Sequence, residues 1–498
     1  MNGQTERKRV TRLPAAALFE LENALYEPRF LGVPIGATLT DFFAINFQAG
    51  ALSLSLAAAL RARLGWWRFC WRGPRRKQPL SDLEPGRILV TWLDDTSRLN
   101  DLVLPVLAEL EPGECNVIGG VASIRQRLPA EIGFCTKVQV TEVDLRSWRR
   151  EYARGRPEWH RRIRGWLRRH GLPGQLFPHL GYGLAVRSFY VAAFFQFLER
   201  TRPRAVLTDS EHNTPWSCLV LAARQRGIPT LQMMHGVIYP PYGYTPLLSD
   251  VVLCWGGQHR EQMIELGTEP ERLVVTGCQR LTRTIVSDPQ AVRRRLGLPA
   301  AGPVVVLATN PMPREEWRKL VFTFGEAFQD RQDLTAVVRL HASEKSETYR
   351  DEIARYPGIR FLENQLWTVE ETMAVSDVVV SHNSGLGNDA LIYGRLVILL
   401  DVLPENPLSN GQTLADRAGS PVARSADELR QCLERIVGDA EYREELHRRA
   451  EEYVKWFCAA FGRDAARNVA QEVTRRAKPR ILPKPSYAAT ATLEKAVV

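Results

Sequence analysis

Apolar and polar positions along the chain fall into short apolar runs separated by longer amphipathic stretches. The first clear run is "GRILVTWLDD" (Gly86 to Asp95); the helix-like "LNDLVLPVLAELEPG" and a second run, "CNVIGG", follow it. Strand, helix, strand is the rhythm of a parallel α/β sheet. After an arginine-rich interruption it resumes with "RSFYVAAFFQFLERTRP" as helix, "RAVLTDS" as strand, "TPWSCLVLAARQRGIP" as helix and "TLQMMHG" and "DVVLCWGG" as strands. "REQMIELGTEPERL" as helix and "VVTGC" as strand complete this half. A charged, proline-bearing bridge, "VSDPQAVRRRLGLPAAGP" (Val286 to Pro303), leads into a second half. There "VVVLATN", a helix through Phe328, "TAVVRLHASE", a helix near "SETYRDEIARYPG", "IRFLEN", the helical "TVEETMAVSD", "VVVSHNSG", "NDALIYG" and "LVILLDV" repeat the alternation.

The pattern predicts an α/β protein of two Rossmann-like, doubly wound domains facing across a cleft. The expected boundaries are a helical, basic and aromatic leader over 1–80, a first domain over 81–285 with an Arg/Trp-rich insertion at 146–171, a linker over 286–302 and a second domain over 303–440. Residues 441–477 read as C-terminal helices and 478–498 as a disordered tail. Ligands of such sheets bind beyond the carboxyl ends of the strands, so the chemistry is sought there.

Composition adds limits. With 498 residues the chain exceeds what one core supports, and 45% hydrophobic residues suffice for two. The eight cysteines form no CxxC pair and no zinc-spaced cluster, which fits a reduced, cytoplasmic setting without a metal site. The N-terminus is basic without a closely following signal-type apolar segment. Phe42 to Leu60 lacks charge but carries Asn46, Gln48, Ser53 and Ser55, so a buried or interfacial helix is expected rather than a span.

The net charge of +10 is concentrated in "RSWRREYARGRPEWHRRIRGWLRRHG" (Arg146 to Gly171) and in "WWRFCWRGPRRK", ending at Lys77. Read as a helix, the first places Trp159, Ile163 and Trp166 on one face and most arginines elsewhere. Two readings stand: peripheral contact with an anionic inner-membrane surface, or tryptophans packed on their own domain. No nucleic-acid module accompanies the charge, and no nucleic-acid partner is expected.

Candidate chemistry gathers at strand ends. "VVVSHNSGLGNDALIYG" turns a buried strand into a helix from about Asn388, and Ser381, Asn383, Ser384, Gly385, Asn388 and Asp389 offer small groups and N–H donors to a phosphate, or an ordinary serine-capped turn. "VVRLHASE" sets His341 just past a strand that also carries Arg339, as a hydrogen-bond donor to a phosphate or as a capping or packed histidine. Thr309 and Asn310 lie at the equivalent end of the preceding strand. In the first half, "LQMMHGVIYPPYG" places His235, Gly236 and Tyr239 after a strand, "WLDDTSRLND" places Asp94 and Asp95, and "LTDSEHNT" places Asp209, Glu211 and His212.

Together, "VVVLATN", "VVRLHASE", "VVVSHNSGLGNDALIYG" and "RGIPTLQMMHGVIYPPYG" with "SDVVLCWGGQHREQMIELGTEPERLVVTGC" resemble GT-B glycosyltransferases of bacterial surface polysaccharide synthesis, in the group of Kdo transferases, polysialyltransferases and CDP-glycerol glycerophosphotransferases. The resemblance spans roughly Gly86 to Val402. It implies that His341 matches the histidine of the family's His-Pro pair at the donor phosphate, with Ala342 where the proline stands, and that Ser381 and Ser384 match its serine pair. His235 and Gly236 match the end of its Gln-His-Gly strand, with Met234 where the glutamine stands. It implies an acidic pair near Asp94 and Asp95, preferred as general base ahead of Glu211 and His212, and donor phosphates held without a metal or other cofactor.

The expected activity is transfer from a UDP-, CDP- or CMP-linked sugar to a glycan or lipid-linked acceptor in cell-envelope polysaccharide synthesis. The alternatives are a CDP-polyol phosphotransferase, a nucleotide-sugar 2-epimerase and a non-catalytic binding protein of the same fold.

Overall fold

The structure is a computed structural model of the chain. It describes residues 20–21, 24–27, 29–39, 56–72, 83–92, 98–119, 122–136, 143–236, 238, 244, 247–341, 343–404, 406–408 and 410–477. The chain divides into two compact units: one takes residues up to Cys254, Arg260–Thr276 and the chain from Ala466, and the other takes Trp255–His259 and Gly277–Ala465.

The first unit is built on seven parallel strands in the order β3-β2-β1-β4-β5-β6-β7. These are β1 (Ile88–Thr91), β2 (Cys115–Gly119), β3 (Gly133–Thr136), β4 (Val206–Thr208), β5 (Thr230–Met233), β6 (Val251–Cys254) and β7 (Leu273–Val275). The second unit repeats the plan with six parallel strands, β10-β9-β8-β11-β12-β13. They are β8 (Val304–Ala308), β9 (Thr335–Arg339), β10 (Arg360–Leu362), β11 (Val378–Ser381), β12 (Leu396–Leu400) and β13 (Val422–Ala423). Helices cover both faces of each sheet, so the central strands are buried on both sides and read as continuous apolar runs. Strand order reverses between β1 and β4 and between β8 and β11, and the carboxyl edge at such a reversal is where sheets of this kind bind ligands. Both units are thus the Rossmann-like domains expected from the alternation of runs.

Two strands leave little trace in the apolar pattern, β3 and β13, whereas the helix Ala426–Gly438, not singled out in the sequence, carries a clear helical stripe of Leu429, Leu433 and Ile436. β3 and β13 are short edge strands paired on one side only, too brief to show a period. The stretch read as a linker forms the helix Pro289–Arg295, capped by Asp288, with Val292 and Leu298 in the second unit's core. Of the C-terminal helices, Ala440–Phe457 stays with the second unit, whereas Gly462–Ala477 buries Ala466, Val469, Ala470 and Val473 against the first unit's sheet.

The arginine-rich segment is one helix, Leu145–Arg169. Its apolar face is committed: Trp148, Tyr152, Trp159, Ile163 and Trp166 all lie in the core around the helix Leu176–Thr201, and Trp148 Nε1 donates to Ser188 Oγ at 3.0 Å. Of the two readings of this segment, the one in which the tryptophans pack on their own domain holds, and a membrane contact through those tryptophans does not, because they are buried in the core. Of the stretch from Phe42 to Leu60, residues 42–55 lie outside the described ones, and 56–60 begin the helix Leu56–Arg72. Among the described residues no helix is long and apolar enough to cross a membrane.

Candidate functional site

In the first unit, β4 and β5 deliver "DSEH" and "HG" side by side to the carboxyl edge. His235 follows β5, and its Nδ1 lies 3.1 Å from the carbonyl oxygen of Asp209, just past β4. A carbonyl only accepts, so Nδ1 carries the proton and donates; Nε2 of the neutral ring is then an acceptor. The ring stacks on Tyr244 at a centroid distance of 5.1 Å, and the Tyr244 hydroxyl meets the backbone N–H of Gly236 at 3.0 Å. Among the described residues the nearest atom to a Cβ at Gly236 would be the Tyr244 hydroxyl oxygen, at 3.9 Å.

The other acidic candidates differ. Glu211 is fully buried, and its two oxygens accept from the backbone N–H of Leu248 and of Ser249, each at 2.6 Å. Gln232, with its amide turned to present nitrogen, adds a donor at 3.1 Å, and His212 Nε2 stands 3.5 Å away. Burial pushes the Glu211 carboxyl up, but the His212 imidazole and these N–H donors outweigh it and hold the group below the usual carboxylate range. The Glu211 carboxylate thus ties the end of β4 to β5 and to the segment before β6. The Asp209 carboxylate is buried against Arg98 at 3.4 Å, while its carbonyl orients His235. Asp94, Asp95 and Tyr239 lie outside the described residues.

In the second unit, Thr309 at the end of β8 and His341 beyond β9 form one braced turn. The His341 N–H meets Thr309 Oγ1 at 3.2 Å and the carboxylate of buried Glu344 at 2.8 Å; Glu344 also accepts from the Tyr349 hydroxyl at 3.2 Å. The Ser343 N–H donates to His341 Nδ1 at 3.2 Å, which makes Nδ1 an acceptor and places the proton of the neutral ring on Nε2. Desolvation lowers the imidazole pKa, with nearby Arg339 adding to the effect and Glu344 opposing it. His341 is therefore a neutral N–H donor, the opposite of His235.

Arg339 is 8% exposed, and its Nε has no hydrogen-bond partner among the described residues. Its guanidinium lies over the Trp367 ring at 5.8 Å, and burial pushes its pKa down to about 10, which still leaves it charged at neutral pH. Asp389 is buried beside it, with Arg280 Nη2 at 3.2 Å. Desolvation raises the Asp389 pKa against the pull of Arg280 and Arg339. Asn388 accepts from the Tyr453 hydroxyl, and Asn310 is half-buried after Thr309.

The "SHNSG" turn is used mostly within itself. Ser381 Oγ donates to the Ser384 carbonyl at 3.5 Å, Ser384 Oγ accepts from the Leu386 N–H at 3.4 Å, and Asn383 bonds Pro407 O and the Gly411 N–H. The helix begins at Leu386, two residues before the expected start, and a Cβ at Gly385 would meet nothing within 4 Å. Arg280, Glu344 and Tyr453 did not stand out in the sequence, since each acts through partners distant in the chain or, for Glu344, through a turn. Among the described residues no group of three or more His, Cys, Asp or Glu is placed to hold a metal ion.

No family model and no curated protein matches the chain. Solved structures share its fold. A Listeria monocytogenes protein assigned as a UDP-N-acetylglucosamine 2-epimerase is 13% identical, with 78% of this chain and 96% of that one covered and a TM-score of 0.52. A second UDP-N-acetylglucosamine 2-epimerase is 13% identical over 82% of this chain and all of its own length, with a TM-score of 0.50. A glycosyltransferase from Rickettsia africae is 12% identical over 79% of this chain and all of its own, with a TM-score of 0.49. At these identities the likeness concerns the two-sheet fold, and the site must speak for the chemistry.

Proposed function

We propose that the protein is a nucleotide-sugar-dependent glycosyltransferase acting in envelope polysaccharide synthesis, of the kind the Kdo transferase and polysialyltransferase resemblance implies. One observation carries the reading: in the second unit His341, at a strand end, presents a neutral N–H donor close to the buried Arg339 guanidinium, the kind of pair a nucleotide phosphate needs. Glycosyl transfer needs two roles. A base takes the proton of the acceptor hydroxyl, and a donor group stabilises the charge that develops on the departing nucleotide phosphate. His235 Nε2 suits the first role. His341 Nε2–H suits the second, with the buried Arg339 guanidinium supplying positive charge nearby. The donor is a UDP-, CDP- or CMP-linked sugar, bound without a metal ion.

Two proteins of similar fold are UDP-N-acetylglucosamine 2-epimerases, which favours epimerisation as the second reading. The test begins with thermal shifts against UDP, CDP, CMP, GDP and their sugar conjugates for the wild type, His341→Ala and Arg339→Ala. A shift with one nucleotide, lost in both variants, supports the donor site; no shift with any nucleotide sinks it. Product analysis follows. His235→Gln is expected to keep donor binding while lowering turnover about 10²–10⁴-fold, the usual contribution of a general base. Product formed from nucleotide sugar alone would instead select the epimerase.

A further inference from the structure

The helix Leu56–Arg72 has two unlike sides. Inward, Trp66 packs so closely on Gly181 of the helix Leu176–Thr201 that a Cβ there would sit 3.0 Å from the indole, and its ring meets His160 of the arginine-rich helix edge-on at 5.2 Å. Outward, Leu60, Leu64 and Trp67 are 51%, 54% and 60% exposed. At about 100° per residue these three fall within about 60° of one another. Arg61 and Arg68 flank that stripe on one side and Arg63 flanks it on the other, and all three are exposed. The neighbouring helix adds exposed Arg156 and Arg164, whose charges both act on His160 beside Trp66.

An apolar stripe bordered on both sides by arginines has the form of a helix that lies in a membrane interface. Its leucines and tryptophan enter the acyl boundary while the arginine stems run up to the headgroups. The absence of acidic residues from "LAAALRARLGWWRFCWR" makes the surface complementary to negative charge. We propose that the outer face of the helix Leu56–Arg72 docks the protein on an anionic lipid bilayer surface, with Leu60, Leu64 and Trp67 inserted and Arg61, Arg63 and Arg68 at the headgroups. This surface is distinct from the tryptophan face of the arginine-rich helix, which is committed to the core.

The test is co-flotation of the full chain with vesicles of phosphatidylcholine alone and of phosphatidylcholine mixed with phosphatidylglycerol. Binding is expected to the mixed vesicles only, and to weaken as salt is raised. The variant Leu60→Gln/Leu64→Gln/Trp67→Gln should lower the bound fraction at least about ten-fold, since apolar burial supplies much of interfacial affinity. Arg61→Glu/Arg68→Glu, which keeps the apolar stripe, should do the same at low salt, and circular dichroism and thermal melts check that both variants fold. No binding of the wild type to mixed vesicles overturns the proposal. Equal binding by a folded triple-glutamine variant also overturns it, assigning the lipid contact to the arginine-rich helix. So does a concentration-dependent dimer that the triple variant abolishes without any vesicle binding, which would place a second copy on this face.

Discussion

At the scale of single residues, the two histidines show how little of a residue's chemistry is its type. His235 and His341 both follow a strand, yet a carbonyl facing Nδ1 in one case and an N–H facing Nδ1 in the other assign them opposite roles. Neither partner could be named from the sequence. The Asp209 carbonyl reaches His235 only because β4 and β5 are neighbours, and the Ser343 N–H reaches His341 only because the turn is held by Glu344. Two glycines invite a direct test. Neither Gly236 nor Gly385 has a positive φ, and among the described residues each has room for a Cβ, so Gly236→Ala and Gly385→Ala should change stability by less than about 1 kcal/mol. If ligand approach is what keeps these positions small, calorimetry will show nucleotide affinity lost in Gly385→Ala, and turnover will fall in Gly236→Ala. Normal binding and turnover in both would remove these residues from the site.

At the scale of elements, the acidic candidates divide according to which strand ends they join. Glu211 follows β4 but bonds the segment just before β6 and the side chain of Gln232 on β5, so its carboxylate joins three strands. Glu211→Ala leaves two buried backbone N–H groups without an acceptor. The expected loss of stability is about 3 kcal/mol or more, read from the denaturant midpoint. A variant with unchanged stability and abolished turnover would keep Glu211 among the catalytic candidates. The same scale explains which elements were legible. Central strands such as β8 and β11 announce themselves as "VVVLA" and "VVVS" because both faces are buried. The arginine-rich helix showed its amphipathic face plainly, but whether that face met lipid or protein was set by the helix Leu176–Thr201 packed on it.

At the scale of the whole molecule, acid should be the destabilising direction. His259 is fully buried between Trp255 and Phe457, ring centroids 5.1 Å from each, and desolvation lowers its pKa from 6.5 to about 3. His160 is lowered to about 4, by desolvation first and by Arg156 and Arg164 after it. Between these values and the ordinary histidine pKa the unfolded chain binds protons that the folded chain refuses. The stability from these groups is therefore complete above about pH 6.5 and falls as pH drops, by up to about 1.4 kcal/mol per pH unit for each fully shifted group. Glu211 acts in the same sense, since its lowered pKa makes stability that is lost on acidification. Replacing His259 with a ring that cannot titrate, as in His259→Phe, should flatten the slope of melting temperature against pH over that window. An unchanged slope would show that the histidine takes no part in the acid response.

The sequence by itself determined the class of fold and the places to look. Apolar runs at strand length, separated by helical periods, leave a parallel sheet as the economical way to bury them, and they locate the carboxyl ends where "HG", "LHASE" and "SHNSG" fall. Only the tertiary structure decided the rest. Burial and donor geometry depend on residues distant in the chain: Arg280 meets Asp389, Tyr453 meets Asn388, and the helix Gly462–Ala477 returns to the first sheet. Local pattern encodes which face of an element is apolar. Which neighbour covers that face, and therefore which groups remain charged, neutral or open to a ligand, is settled when the elements pack.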